Sequence, residues 1–194
     1  MTRARLRLVP SLSRSPSPSK DAVPTDRDVL DRVARGDTGA LGELYDRHAR
    51  VLLAFASRAT GAHDAEDVVQ ATFERAARSA GAFDGRSESA RAWLFGIAIR
   101  VMQGRRRSFA RLTRALLRLD APSTHRPVDD ERRDLQRGLA RLSDNKRVVL
   151  LLAEVEGFTC AEIATMLGVP IGTVWTRLHH ARREMRAYYE EDER

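Results

Sequence analysis

The side chains best equipped for chemistry lie near the end of the chain: Trp175, Thr176, His179, His180, Arg182 and Arg183. Val174, Leu178, Ala181 and Met185 recur at steps of four, three and four, the inner stripe of a 3.6-residue period. The six are therefore left pointing outward. Flat, donor-rich and cationic groups on one helix face suit base edges and phosphates. A second group, Asp64, Glu66 and Asp67, opens another apolar-periodic stretch, where carboxylates oppose the helix dipole favourably. Bond-making chemistry finds no footing. There is no glycine-rich phosphate loop or nucleophile motif, and His48, His63, His125, His179 and His180 are scattered. His63, Asp64 and Asp67 are metal-ligand types but lack a ligand from elsewhere. No catalytic residue, metal or cofactor is expected.

The outward face needs a scaffold, and the stretch Gly157–Met185, GFTCAEIATMLGVPIGTVWTRLHHARREM, supplies one. Thr159 followed by Glu162 has the spacing of a capping box, which predicts a helix from about Thr159 to Leu167. Gly168 is the residue that most easily ends a helix in the left-handed conformation, and Pro170 blocks continuation. A second helix starts near Ile171 or Thr173. Two short helices across a glycine turn, with such an outer face, form the helix-turn-helix of major-groove reading. A hairpin with a merely solvated face leaves an exposed Trp175 beside two histidines unexplained.

Composition agrees. The chain has 194 residues, a formal charge of +7, 31% charged residues and only 6% aromatics, favouring a helical protein over a large β sandwich and a polyanion as partner. Seven arginines and no acid fall between Arg100 and Arg118. Cys160 is the only cysteine, so neither an intrachain disulfide nor a cysteine-rich zinc site can form. No apolar run approaches the roughly 18 residues of a membrane span, and the basic N-terminus lacks the apolar core of a secretion signal. A cytoplasmic protein without membrane insertion is expected.

The expected fold class is all-α: two small helical domains joined by a flexible linker, the second ending in the helix-turn-helix. Residues 1–25 form a basic Ser/Pro-rich tail. Residues 26–107 hold about four helices. The first is marked by Val29, Leu30 and Val33. The second carries Leu41, Leu44, Tyr45, His48, Val51, Leu52 and Phe55 as its stripe. The third opens at Asp64 and buries Val68, Val69 and Phe73. The fourth has Trp93, Leu94, Ile97 and Val101 inward and ends in Arg105-Arg106-Arg107. Residues 108–130 lose periodicity and read as the linker, 131–187 as the second domain, and 188–194 as an acidic tail.

Asp64-Ala-Glu-Asp-Val-Val-Gln-Ala-Thr-Phe73 closely resembles the DAED-x-x-Q-x-x-F signature of bacterial sigma factors, in the compact extracytoplasmic-function group. The resemblance extends through LYDRHARVLLAFA, RAWLFGIAIRVMQGRRR and LARLSDNKRVVLLLAEVEGFTCAEIATMLGVPIGTVWTRLHHAR, covering roughly residues 26–187. It implies a non-enzymatic subunit that binds core RNA polymerase and then promoter DNA. Asp64, Glu66, Asp67, Gln70 and Phe73 match the residues that dock on the polymerase clamp helices, although Phe73 could equally be core. The loop and helix that melt the −10 element correspond to Asp84, Arg86, Ser87, Trp93, Arg100, Arg105, Arg106 and Arg107, with Trp93 expected in the core.

For the −35 element, Thr173, Trp175, Thr176, His179 and His180 face the groove, and Arg177, Arg182 and Arg183 reach bases or phosphates. The chain departs from the family at Arg100, often asparagine, and at Gly104, often aspartate. It departs again at Trp175, often Lys or Arg, and at Thr176, often serine. Base preference at both elements therefore does not transfer. The resemblance also implies a separate anti-sigma factor as a further partner. The alternative is a free-standing helix-turn-helix regulator, which would need a dimerisation helix or a sensor pocket.

Overall fold

The computed structural model describes residues 23–85, 89–116 and 130–192, with side chains described for 23–85, 89–105 and 134–190. The elements of the described residues are all helices. Arg86 and Ser87, the side chains of Arg106 and Arg107, and most of the expected tail and linker lie outside them.

Helix α1 (Asp26–Ala34) begins at a capping box between Thr25 and Asp28, and α2 (Thr38–Thr60) at the Asp37 carboxylate, which accepts from the Ala40 amide. Such caps satisfy amides that have no intrahelical partner. Helix α3 (Ala62–Ser79) lies along α2 and packs on α4 (Ala90–Leu116). Leu30, Leu44, Leu52, Phe55, Val68 and Phe95 are fully buried between them, and the Phe55 and Phe95 rings lie 5.0 Å apart.

The second half runs through α5 (Asp130–Arg141), α6 (Asp144–Leu150), a π-helical turn (Leu151–Val155), α7 (Cys160–Leu167) and α8 (Ile171–Asp192). Val149, Leu152, Ile163, Val174 and Ala181 form its interior. Helices α5 and α8 cross closely at Gly138, where an added Cβ would stand 2.9 Å from Tyr188 Cδ1.

Several boundaries differ from the sequence pattern. Helix α4 runs nine residues past Arg107, because nothing from Ser108 to Leu116 breaks a helix and the first proline comes only at Pro122. Helix α3 opens at Ala62 rather than Asp64, leaving Asp64 alone in its first turn. Tyr188 belongs to the fold and not to a tail: it is buried on α5, with the Arg141 guanidinium carbon 4.7 Å from its ring centre. Tyr45 and Val51, placed in the buried stripe of α2, are exposed, since that stripe is wider than the contact α3 and α1 make with it.

The two halves also pack on each other. Helix α7 lies against α4, and Arg147 donates to the carbonyls of Leu139, Ala140 and Leu142 and, across the divide, to that of Ala59. One guanidinium thus satisfies chain carbonyls at the ends of both α5 and α2, where a cation opposes the helix dipole favourably.

Candidate functional site

Three surfaces gather the predicted site residues. The first is the solvent face of α3. Ala65, Val68, Val69, Thr72 and Ala76 point into the core, so helical geometry turns Asp64, Glu66, Asp67 and Gln70 outward, and all four are exposed. Gln70 Nε2 donates to Glu74 Oε1 at 3.1 Å. Asp67 accepts from Arg105 of α4 at 2.5 Å, so a predicted polymerase contact and a predicted −10 contact are partners. Phe73 is buried, 5% exposed, with its ring 4.9 Å from that of Tyr45, which is 48% exposed. Tyr45 is the aromatic that this face shows to solvent.

The second surface is a cavity of about 430 Å³ between the end of α3 and the first turns of α4, lined by Arg75, Arg78, Ser79, Trp93, Ile97 and Arg100. Ser89 caps α4 through the Ala92 amide. Trp93 sits in the core as expected, its ring 5.4 Å from Phe83, and contributes an edge to the cavity. None of the three guanidinium groups has a carboxylate partner among the described residues. Arg100 folds back along its helix: a Cβ on Gly96 would lie 3.2 Å from Arg100 Nη2. Asp84 is exposed on the loop beyond. Arg75 and Arg78 belong to no motif. Their signal is positional, since with Ser79 they occupy the α3 face turned toward α4 just past Phe73.

The third surface is the outer face of α8. Thr159 and Glu162 form the expected capping box, and Gly168 ends α7 at φ 63°. The hydrogen bonds of the Thr159 side chain and amide hold the Glu162 carboxyl below its ordinary range. Val174, Leu178 and Ala181 are buried, whereas Trp175 is 59% exposed. Thr176 is exposed and donates its hydroxyl to the Gly172 carbonyl at 2.9 Å. His179 is exposed and His180 half-buried, with rings edge to face at 5.7 Å. Thr173 and Arg177 are half-buried. Arg183 is exposed, while Arg182 is engaged by Glu154 at 2.5 Å. Lys146 and Glu184 pair at 2.6 Å, a second tie between α8 and its scaffold.

His63 is exposed, His48 is 2.8 Å from Asp26, and no cluster of metal-ligating groups occurs among the described residues.

Residues 44–112 match the family model for sigma-70 region 2, and residues 132–185 that for sigma-70 region 4. The chain is 37% identical over 166 residues to the ECF RNA polymerase sigma factor SigL of Mycobacterium tuberculosis, covering 81% of this chain and 93% of that protein. The chain belongs to the extracytoplasmic-function sigma factors. This sigma factor is also 33% identical to SigE of Mycolicibacterium smegmatis, over 85% of its own length and 68% of that relative. Among solved structures it resembles CnrH in complex with the cytosolic domain of CnrY, with a TM-score of 0.64 and 32% identity over 86% of this chain and 98% of that one. Its fold is also that of RpoE from Bartonella quintana, with a TM-score of 0.69 and 24% identity over 77% of this chain and 96% of that one. It is a non-enzymatic initiation factor that binds core RNA polymerase and directs promoter-specific transcription. No described helix of the sigma factor is long and apolar enough to cross a membrane.

Proposed function

We propose that the three surfaces divide the work of initiation. The exposed face of α3 docks on the polymerase clamp helices through Asp64, Glu66, Asp67 and Gln70. Tyr45 adds apolar contact above Phe73, which acts from the core. A carboxylate-rich helix meets a basic coiled-coil surface favourably, and such complementarity speeds encounter and disfavours wrong partners. The observation that carries this reading is that the second half packs on α4 and leaves the α3 face open.

The cavity between α3 and α4 is the −10 site. Opening a duplex requires a base to be unstacked and held. The edge of Trp93 and Asp84 on the adjoining loop would hold it, joined by Arg86 and Ser87, which follow in sequence. Arg75, Arg78, Arg100, Arg105, Arg106 and Arg107 would track the phosphates beside it, as cationic grooves do for single strands. Trp175 and the Thr176 methyl read the −35 element by apolar contact with thymine methyls, a contact that carries sequence information in the major groove. Thr173, Arg177, His179, His180 and Arg183 supply polar and phosphate contacts, and Arg182 braces the helix through Glu154.

The units doing this work are residues 26–107 and 131–187, to which Tyr188 and the extension of α4 are added. The protein works in the cytoplasm, where the polymerase is. CnrH is seen with a second protein, CnrY, and a separate inhibitory chain is the corresponding partner here. A free-standing regulator would have no use for the α3 face. The test is co-purification with sigma-free core polymerase. Wild type should bind stoichiometrically, and the Asp64→Lys, Asp67→Lys chain should not. Equal binding by both would sink the α3 assignment.

A further inference from the structure

We infer that the cavity between α3 and α4 also takes a free nucleoside triphosphate, which competes there with the −10 strand. This rests on the −10 assignment given above and adds a second occupant to the same site. The cavity, about 430 Å³ in volume, gathers Arg75 and Arg78 from α3 and Arg100 from α4. All three residues are exposed, and like charges held together without an anion between them repel. The carboxylate best placed along the helix to offset them is Glu74, four residues before Arg78, but it accepts from Gln70 instead. The Ser79 hydroxyl is also spent, donating to the Arg75 carbonyl at 2.7 Å. The cavity therefore offers its charge through guanidinium groups, which only donate and which match phosphate oxygens in pairs.

The opposite wall is apolar. Trp93 is only 7% exposed and shows an edge beside Ile97, with the Phe83 ring 5.4 Å behind it. Core packing holds that wall in place before any ligand arrives, and a preformed surface binds at lower cost. A cavity of this volume falls in the range of small-molecule sites. Three cations facing an apolar wall suit a ligand with a flat base at one end and several negative charges at the other. A DNA strand brings a base but a single charge per nucleotide. A nucleoside triphosphate carries on one nucleotide enough charge for all three guanidinium groups. Its source is at hand, because the polymerase that this factor binds consumes nucleoside triphosphates. While one is seated, the extruded base of the −10 strand has no room.

The test uses the full chain carrying Trp175→Phe, which leaves Trp93 as its sole tryptophan, so that fluorescence reports the cavity. Magnesium-free GTP is titrated at low salt, where exposed charges are least screened, beside guanosine and inorganic triphosphate as its two halves. GTP should change the Trp93 emission with a Kd of about 10 µM to 1 mM, and each half should bind at least about tenfold more weakly. Arg75→Ala with Arg78→Ala should weaken GTP by at least about tenfold, and so should Arg100→Ala. Arg35→Ala with Arg50→Ala, two exposed arginines elsewhere in the first half, should change nothing. GTP should also displace a labelled single strand bearing a −10 sequence selected with the holoenzyme, beyond what inorganic triphosphate does at equal concentration. Unchanged emission up to about 10 mM GTP, tenfold above the weakest expected Kd, would overturn the inference. So would equal binding by inorganic triphosphate, or binding indifferent to the three arginines. A strand that binds through those arginines while GTP stays silent would sink the nucleotide and leave the −10 assignment standing. GTP that binds without displacing the strand would overturn the competition and, with it, the −10 assignment of this cavity.

Discussion

Helices α4 and α8 are both assigned to DNA, yet they are built differently. From Ala92 to Ile99, α4 is buried on every side, and a helix apolar all round is one covered all round. Helix α8 buries the stripe Val174, Leu178 and Ala181 and leaves Trp175 and His179 in solvent. The contrast teaches that an outward face is free for a ligand only where no other part of the chain claims it. In α8 nothing does. In α4 the second half of the same molecule covers the face opposite the core, and only the edge toward α3 stays open as a cavity.

The sharpest way to break the contrast is to change a surface belonging to neither helix. Reversing Asp64 and Asp67 to lysine should lower affinity for core polymerase by about two orders of magnitude, since like charges set against each other cost several kcal/mol. DNA binding by the full-length variant in the absence of polymerase should not change. Next comes the difference in burial. Phe95→Ala should destabilise the chain by about 3–5 kcal/mol in urea unfolding, whereas Trp175→Ala should stay within about 0.5 kcal/mol. In promoter binding the order inverts: Trp175→Ala should cost the holoenzyme about 1–3 kcal/mol at its −35 sequence, the scale of one mismatched base pair. A Trp175→Ala holoenzyme with unchanged promoter preference would remove α8's claim to base reading.

Smaller effects sharpen the comparison. Arg75→Ala and Arg78→Ala together should reduce the salt dependence of promoter binding by about two counterions, with no change in thermal stability. Thr159→Ala should cost about 1 kcal/mol by removing the cap of α7. That loss has a definite pH dependence. The Glu162 carboxyl is held below its usual 4.5 by Thr159, so the capping box stabilises at neutral pH and fades as pH falls through the lowered value. The gap in urea midpoint between wild type and Thr159→Ala should therefore narrow on acidification well below pH 4.5, without closing, because the Thr159 hydroxyl still accepts from the Glu162 amide. The smallest effect belongs to Asp67 and Arg105, exposed by 62% and 42%. A double-mutant cycle should place their coupling below about 1 kcal/mol.

What could be read from the sequence follows the same division. The capping residues Thr159 and Glu162, the stop at Gly168 and the stripe on α8 obey local rules, and each stands where those rules put it. The outward set of α3 was legible for the same reason. Arg182 was not, because its engagement depends on Glu154, 28 residues earlier. Tyr45 was misplaced because periodicity marks a stripe without saying how wide the neighbour covering it is. Arg75 and Arg78 stayed hidden because a cavity is made by two helices and belongs to neither sequence segment. The run AWLFGIAI offers no polar face, but naming what covers its far side required Glu156 and Phe158 in place.

The close crossing of α5 and α8 has a mechanical side. Tyr188, seated against Gly138, pins one end of a rod whose other end is the reading face. Thr173 is 15 residues away, about 22 Å along the axis. A lever of that length multiplies small tilts at its pivot. A side chain larger than glycine at position 138 would displace Tyr188 and swing the far end of the helix without touching a single residue that meets DNA.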